Sequence, residues 1–368
     1  MFQAPSAALS LAAAAARRCG VTRVGEITRL DRLGVPVFHA IRPWSRALSV
    51  HQGKGFTREE ARLGALMEAV ESAEAEAFAG PQVIAAWRDL PRDERPRCPA
   101  DFADTRGAAL DPAEAIAWTP ARRLLDGRRL WVPFEAVSLD FTRPQDPRIG
   151  RSSNGQAAHF SREAATVTAL LELIERDAAA AWFALAPGER TATQVALRSV
   201  RAPWLQALLE RLREAGVRLA LYRADGVGGF PVVIASLIDG DRLSRRPGAY
   251  GVGCDPSAER ALAKAVLEAA QSRLTLIAGA RDDIDYAALA SPPGLGLAPP
   301  PPMHMRFVDW ASVADADAAD SHAIARRLAE HGYDETAVVE LSAPGAEVVA
   351  VKAFALGLGA FERTRRPA

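Results

Sequence analysis

The stretch SREAATVTALLELIER, residues 161–176, has the pattern of an amphipathic helix that carries a pair of glutamates three residues apart, Glu172 and Glu175, near its end. Residues three apart lie on the same face of a helix. The leucine and isoleucine residues around them predict that this helix is largely buried. Two carboxylates beside a hydrophobic core destabilise a protein unless a cation or hydrogen bonds compensate them. The stretch therefore predicts a helix whose glutamates bind something.

The same pattern occurs in two other stretches of the chain. TREEARLGALMEAVES begins at Thr57 and SAERALAKAVLEAAQS begins at Ser257, just as the first stretch begins at Ser161. In all three, alanine follows four and eight residues after this first residue, and glutamate follows eleven residues after it. The polar residues eleven and fourteen positions on are Glu68 and Glu71, Glu172 and Glu175, and Glu268 and Gln271. At about 100° per residue, all these positions fall on one stripe of each helix.

Each predicted helix is preceded by a segment that contains glycine. The segments are Gly53-Lys54-Gly55, Ser153-Asn154-Gly155 and Gly251-Val252-Gly253. Glycine-containing loops at helix starts can bring backbone N–H groups to a phosphate. The small alanines of each stripe are expected to let a ligand approach closely.

Four glutamates that converge from the first two helices require compensating positive charge. Oxygen ligands favour Mg²⁺ or Ca²⁺, and Mg²⁺ usually completes its coordination with substrate phosphates. Lys54, Arg176 and Arg273 are natural phosphate partners. The sequence thus predicts a Mg²⁺–nucleotide site formed by three helices. Two alternatives stay open: the glutamates form solvated helix faces, or the three helices are the result of a gene triplication without function.

Composition and charge do not point to several other classes of protein. The 368 residues include 45 acidic residues and 45 Lys and Arg residues, which gives no electrostatic reason to expect nucleic acid or an anionic membrane as a partner. Cys19, Cys98 and Cys254 are far apart and lack metal-ligand spacing. We expect a cytoplasmic protein without a membrane span.

Helix and strand patterns alternate along the chain, which predicts a mixed α/β (α+β) fold. Long helices are expected at about 57–79, 161–185 and 257–278, and strands include LWVPFEAVSLDF, VRLALYRA, FPVVIASLID and EVVAVKAFAL. We expect an N-terminal helix and extended segment at 1–45 and a catalytic domain at 46–368. This domain has its motif core at 50–285 and a Pro/Gly-rich loop at 291–302.

The segments GKGFTREEARLGALMEAVE, SSNGQAAHFSREAATVTALLELIERDA and ERALAKAVLEAAQSRLTLIAGARDDI resemble the YcaO family, and the third resembles YcaO proteins partnered with TfuA. The resemblance implies a YcaO-like fold in which three pseudo-repeated long helices converge on a nucleotide site. It also implies an enzyme that uses ATP and Mg²⁺ to phosphorylate a peptide backbone amide in the modification of a ribosomal peptide or protein. An azoline, a thioamide or an amidine results, according to the nucleophile.

The resemblance also assigns roles to individual residues. The expected Mg²⁺ ligands are Glu68, Glu71, Glu172 and Glu175. The residues expected to contact the nucleotide or its phosphates are Lys54, Ser153, Asn154, Arg176, Glu268, Gln271 and Arg273. Of these, Arg176 and Arg273 are also expected to be catalytic.

The chain departs from the family pattern in three places. Gly64 stands where many members have serine, and Ser72 where many have arginine. The chain also ends in GAFERTRRPA, without the proline-alternating tail of many azoline-forming members, and this favours thioamide formation over cyclodehydration.

The expected partners are a peptide substrate and a TfuA-like or leader-peptide-binding protein, and a homodimer stays open. The departures keep two alternative functions open. One is a non-catalytic nucleotide-binding accessory protein of a peptide-modification complex, and the other is a different ATP-dependent ligase or kinase.

Overall fold

The computed structural model describes residues 6–102, 110–240, 248–281, 283–284 and 307–358. The Pro/Gly-rich loop expected at 291–302 and the chain end lie outside these residues. The helices are α1 (Ser6–Arg18), α2 (Arg58–Ala77), α3 (Phe134–Val137), α4 (Arg162–Ala184), α5 (Pro187–Ala192), α6 (Pro203–Glu214), α7 (Ala258–Ala278) and α8 (Ser321–Glu330). The strands are β1 (Arg23–Glu26), β2 (Val37–Ile41), β3 (Val50–Lys54), β4 (Val83–Ala86), β5 (Ala115–Arg123), β6 (Arg129–Pro133), β7 (Gln156–His159), β8 (Val217–Asp225), β9 (Pro231–Asp239), β10 (Ala249–Cys254), β11 (Thr336–Glu340) and β12 (Val349–Ala355).

The described strands form three sheets with antiparallel pairing. One sheet has the order β1–β2–β3 and a second has the order β10–β9–β8. The third has the order β4–β5–β11–β12–β7, with β6 paired to the other side of β5. Helix α2 packs on β3, α4 on β12 and α7 on β10. The predicted mixed α/β fold is confirmed.

Each of the three long helices directly follows a strand, and polar caps fix where it begins. Thr57 accepts a hydrogen bond from the Glu60 backbone N–H at 3.1 Å, and the Glu60 side chain binds the Thr57 N–H in return. Ser161 caps α4 in the same way through its side chain. Ser257 makes no such bond, and at α7 the Asp315 carboxylate accepts the N–H of Ala258, the first helical residue.

The glycines before α2 and α7 have a different role from the one that the sequence suggested. Gly53 lies in β3, and Gly251 and Gly253 lie in β10, so they are not in phosphate-binding loops. A Cβ atom on Gly53 would lie 2.1 Å from the Ala61 carbonyl oxygen, and one on Gly251 would lie 2.2 Å from backbone atoms of α7. The alanine stripes are fully buried against these strands. Small residues on both elements thus serve strand–helix packing rather than the approach of a ligand.

A methyl group at Gly251 should therefore disrupt the packing of α7 on β10. We expect Gly251→Ala to lower the free energy of unfolding by about 3 kcal/mol or more, because a backbone clash cannot be relieved by a rotamer change. Urea denaturation measures this loss. Gly188→Ala is the control, since nothing lies within 4 Å of a Cβ atom there, and its effect should stay below about 1 kcal/mol. Equal stability of the two variants would contradict this account of the packing.

Two other expectations also differ from the structure. LWVPFEAVSLDF does not form one strand, because β6 ends at Pro133 and α3 begins at Phe134. Proline has no N–H to continue the ladder, and its fixed φ suits the start of a helical turn. The domain boundary expected after residue 45 falls between β2 and β3, which pair with each other in one sheet.

Within the described residues, no helix is both long and apolar enough to cross a membrane.

Candidate functional site

Four glutamates of α2 and α4 each accept a backbone hydrogen bond from one of the strands β3, β7 and β10 or from the turn before β7. The donor–acceptor pairs are Gln52–Glu68 (3.3 Å), Ala158–Glu71, Gly155–Glu172 (3.3 Å) and Cys254–Glu175 (3.0 Å). Each of these bonds engages one carboxylate and limits the rotamers available to it. The strands thus orient the four carboxylates that the sequence analysis assigned to Mg²⁺.

The charges of these glutamates influence one another, so the side chains lie close together. Burial raises the pKa of Glu71 well above its usual value, and the charges of Glu172 and Glu68 raise it further. Burial and the charge of Glu268 raise the pKa of Glu175 to about 8. Burial also raises the pKa of Glu68, to about 7. Carboxylates from α2, α4 and α7 therefore form one acidic cluster that carries more negative charge than its surroundings compensate.

Two of the expected phosphate partners lie at the edge of this cluster. The Lys54 Nζ donates to Glu268 Oε2 at 3.2 Å, which joins the end of β3 to α7. The Arg176 Nη2 lies 3.5 Å from Glu172 Oε1, and the Arg176 side chain is 44% exposed. Both cations thus border the carboxylates from the side that solvent reaches.

A third cation, Lys352 of β12, was not predicted from the sequence. Its Nζ donates to the Ser152 carbonyl oxygen at 2.6 Å. Burial lowers its pKa to about 8, and the charges of Glu172 and Glu71 oppose this effect. The signal was present, because a single lysine interrupts the apolar strand VVAVKAFAL. A buried lysine needs a negative partner, which that pattern alone does not identify.

The acidic cluster has the donor chemistry of a Mg²⁺ site. Oxygen ligands suit Mg²⁺, which proteins usually hold with one or two carboxylates while phosphates and water complete the shell. Within the described residues, no three acidic, histidine or cysteine side chains are grouped so that they could hold a single ion. Pairs of glutamates that leave room for phosphate oxygens fit this arrangement, and ions between such pairs would remove the excess negative charge.

The predicted residues before α4 form a tight turn beside the cluster. The Asn154 N–H donates to Ser152 Oγ at 3.0 Å, and Ser153 is exposed. Gly155 has φ = +77°, and a Cβ atom there would lie 2.6 Å from the Ala353 carbonyl oxygen, so this position requires glycine. The turn fixes the Gly155 N–H that binds Glu172.

The structure does not support the phosphate contact expected of Arg273. Its side chain is only 4% exposed, and its guanidinium pairs with Asp31 at 2.7 Å and Asp239 at 3.1 Å. Arg273 lies five residues after Glu268, which places it about 140° around α7 from the polar stripe. Its ion pairs connect α7 to two buried carboxylates.

Gln271 lies on α7 within the stripe, one turn before Thr275. The Thr275 Oγ1 contacts Gln52 Oε1 of β3 at 2.5 Å.

His51, next to Gln52 in β3, should make the stability of the protein sensitive to acid. Burial lowers its pKa from 6.5 to about 4, and the charge of Arg42 adds to this effect. Because the pKa is lower in the folded state, stability is lost as the pH falls from about 6.5 to about 4. We expect His51→Gln to reduce this loss by about 3 kcal/mol. Urea denaturation at pH 7 and pH 4 measures the difference, and His331→Gln, at an exposed position, should leave it unchanged. An equal loss in wild type and His51→Gln would contradict the prediction.

Comparisons with known proteins show which family and fold this chain resembles. A model of the YcaO family, described as YcaO cyclodehydratase, ATP- and Mg²⁺-binding, matches residues 52–358. An uncharacterised protein in the tfuA 3′ region of Rhizobium leguminosarum bv. trifolii is 35% identical over 274 residues, which are 73% of this chain and 65% of that protein. An uncharacterised protein of Mycobacterium tuberculosis (strain ATCC 25618 / H37Rv) is 36% identical over 271 residues, which are 73% of this chain and 60% of that protein. The chain thus spans less than two thirds of the length of either relative.

Solved structures of low sequence identity share the fold. YcaO from Methanopyrus kandleri bound with AMPPCP and Mg²⁺ has a TM-score of 0.73 and 22% identity, and the match covers 100% of this chain and 94% of that chain. A heterocyclase in complex with substrate and cofactor has a TM-score of 0.76 and 21% identity, covering 92% and 50% of the two chains. The predicted YcaO-like fold is confirmed. The family model describes an ATP- and Mg²⁺-binding domain, and it matches far more than half of the length of this chain. This chain therefore belongs to the YcaO family.

Proposed function

We propose that this chain binds Mg²⁺ and ATP at the acidic cluster between α2, α4 and α7, and that it phosphorylates a backbone amide of a peptide. The observation that carries the proposal is the cluster itself. Five half-buried glutamates from three helices meet there, and Lys54, Arg176 and Lys352 border them. Burial raises the pKa values of four of these glutamates, which are Glu68, Glu71, Glu172 and Glu175. Such a cluster is costly without divalent cations, and the bordering cations suit phosphates.

The residues of the chain act in this proposal by binding and orientation. Bound Mg²⁺·ATP supplies the phosphoryl group. Pairs among Glu68, Glu71, Glu172 and Glu175 would hold Mg²⁺, and their backbone donors keep these carboxylates in place. Arg176 is half-exposed beside Glu172, so it can donate to phosphate oxygens as negative charge develops on them. Phosphoryl transfer depends mainly on such positioning and charge neutralisation, so no nucleophilic side chain is required.

The product that we propose is a thioamide. Sulfide adds to the amide carbon, the resulting oxyanion takes the phosphoryl group, and departure of phosphate leaves C=S in place of C=O. The relative in the tfuA 3′ region supports a TfuA-like partner. Azoline formation is the alternative product, in which a side chain of the peptide is the nucleophile.

Gly64, which departs from the family pattern, has a structural explanation. A Cβ atom on this residue would lie 3.3 Å from the Gly53 Cα, where β3 crosses α2 closely. Its small size therefore serves packing, and it gives no independent reason to favour a non-catalytic accessory role.

Calorimetry with AMPPCP, with and without MgCl₂, tests the site first. The proposal requires binding that depends on Mg²⁺. Incubation with ATP, sulfide, a TfuA-type protein and ribosomal peptides encoded beside its gene then tests the chemistry by mass spectrometry. Exchange of oxygen for sulfur supports thioamide formation, and loss of water indicates an azoline. Mg²⁺-dependent binding without phosphate release or any change in peptide mass would favour the accessory role.

A further inference from the structure

Gln156 and Lys352 lie directly opposite each other where β7 pairs with β12. Residues opposite each other in an antiparallel pair have side chains on the same face of the sheet. Both side chains are buried, with Gln156 2% and Lys352 3% exposed. Neither Oε1 nor Nε2 of Gln156 has a hydrogen-bond partner among the described residues. A buried amide without partners is destabilising, so its retention requires an explanation.

This pair lies beside the acidic cluster. Gln156 stands between Gly155 and Ala158, whose N–H groups bind Glu172 and Glu71. Lys352 is close enough to the same two glutamates for their charges to act on it. The unpartnered amide is therefore within a few residues of the backbone donors that orient two of the expected metal ligands.

We propose that Gln156 and Lys352 form a further wall of the nucleotide site and bind the hydrated Mg²⁺–phosphate group of ATP. This inference rests on the proposed function. Water on Mg²⁺ donates hydrogen bonds, which the amide Oε1 accepts. Phosphate oxygens accept hydrogen bonds, which the amide Nε2 and the Lys352 ammonium donate. A ligand with both donors and acceptors thus satisfies an amide that the described residues leave unpaired, and phosphate gives the ammonium an additional counter-charge.

Gln156→Leu separates this role from a purely structural one. Leucine removes the unpaired amide at similar size, so both roles predict a higher melting temperature without ligand. Our proposal also predicts that Mg²⁺-dependent binding of AMPPCP weakens by about 10- to 100-fold, as for other residues that hydrogen-bond to the ligands of a metal rather than to the metal itself. Calorimetry with AMPPCP and MgCl₂ measures this change. An unchanged affinity together with a higher melting temperature would overturn the proposal.

Thr336→Val is the matched control for that experiment. Thr336 is fully buried in β11 of the same sheet, and its Oγ1 also lacks a partner among the described residues. We expect Thr336→Val to leave the affinity for AMPPCP unchanged. A loss of affinity in Thr336→Val as large as in Gln156→Leu would show that any change in this sheet disturbs the site, and it would also overturn the proposal.

Lys352→Met and Lys352→Arg test the other member of the pair. Lys352→Met should weaken Mg²⁺-dependent AMPPCP binding by at least about tenfold, and Lys352→Arg should retain more of it because the positive charge remains. Equal affinity of wild type and Lys352→Met would overturn the role of Lys352. If Lys352→Met does not fold, Gln156→Leu carries the test. Absence of binding in the wild type would instead refute the proposed function, so the two failures are distinguishable.

Discussion

Replacing Glu172 by glutamine should weaken Mg²⁺-dependent AMPPCP binding by about 100-fold or more. Glutamine keeps the size of the side chain and can still accept the hydrogen bond from the Gly155 N–H, but it has no negative charge for a cation. Loss of a residue that only hydrogen-bonds to a metal ligand lowers metal affinity by about 10- to 100-fold, so loss of a direct ligand should lower it at least as much. Calorimetric titration of AMPPCP at several MgCl₂ concentrations measures the effect.

Glu59→Gln is the matched control for this substitution. Glu59 is an exposed glutamate in the first turn of α2, outside the acidic cluster, and we expect the affinity of this variant to equal that of the wild type. Thermal unfolding without ligand then checks that Glu172→Gln folds. We expect no decrease in its melting temperature, because burial raises the pKa of Glu172 and its charge therefore opposes folding. A folded Glu172→Gln variant that binds like the wild type would show that Glu172 does not hold the metal.

The helices that carry the site could be predicted from the sequence because their signals are local. Caps, apolar periodicity and the spacing of glutamates lie within one stretch of chain. The ends of α4 differ by one residue from the expected bounds of 161–185. The position of Arg273 could also have been predicted from the sequence, because its angle around α7 places it away from the polar stripe. The prediction that Arg273 contacts phosphate rested on its charge and on the family resemblance, and neither takes account of this angle.

Other parts of the site depend on pairing between distant segments. Lys352 and Gln156 meet only because β12 pairs with β7, and no local pattern encodes that register. The glycines of β3 and β10 show a different difficulty, because a close approach of backbone to phosphate and a close approach of strand to helix both require glycine. The sequence shows that the position needs glycine, but it does not show which neighbour imposes this.

Breaking the buried Arg42–Glu76 ion pair, which lies outside the site, should have a large effect on stability. Arg42, just after β2, binds Glu76 of α2 through two hydrogen bonds of 3.0 and 2.8 Å, and both side chains are at most 7% exposed. Burial alone would raise the pKa of Glu76, but hydrogen bonds from Arg42, Ser45 and the Arg46 N–H lower it below its usual value. The carboxylate is therefore charged, and it depends on these donors.

We expect Arg42→Met to lower the free energy of unfolding by about 3–5 kcal/mol, because it leaves the Glu76 carboxylate buried without its main partner. Urea denaturation at pH 7 measures the loss. In the double variant Arg42→Met/Glu76→Leu much of the stability should return, since apolar residues of similar size can replace a buried pair. Arg18→Met breaks an exposed pair with Glu347 and should cost no more than about 1 kcal/mol. A double variant as unstable as Arg42→Met would show that the arginine acts through its bond to the Cys19 carbonyl oxygen rather than through Glu76.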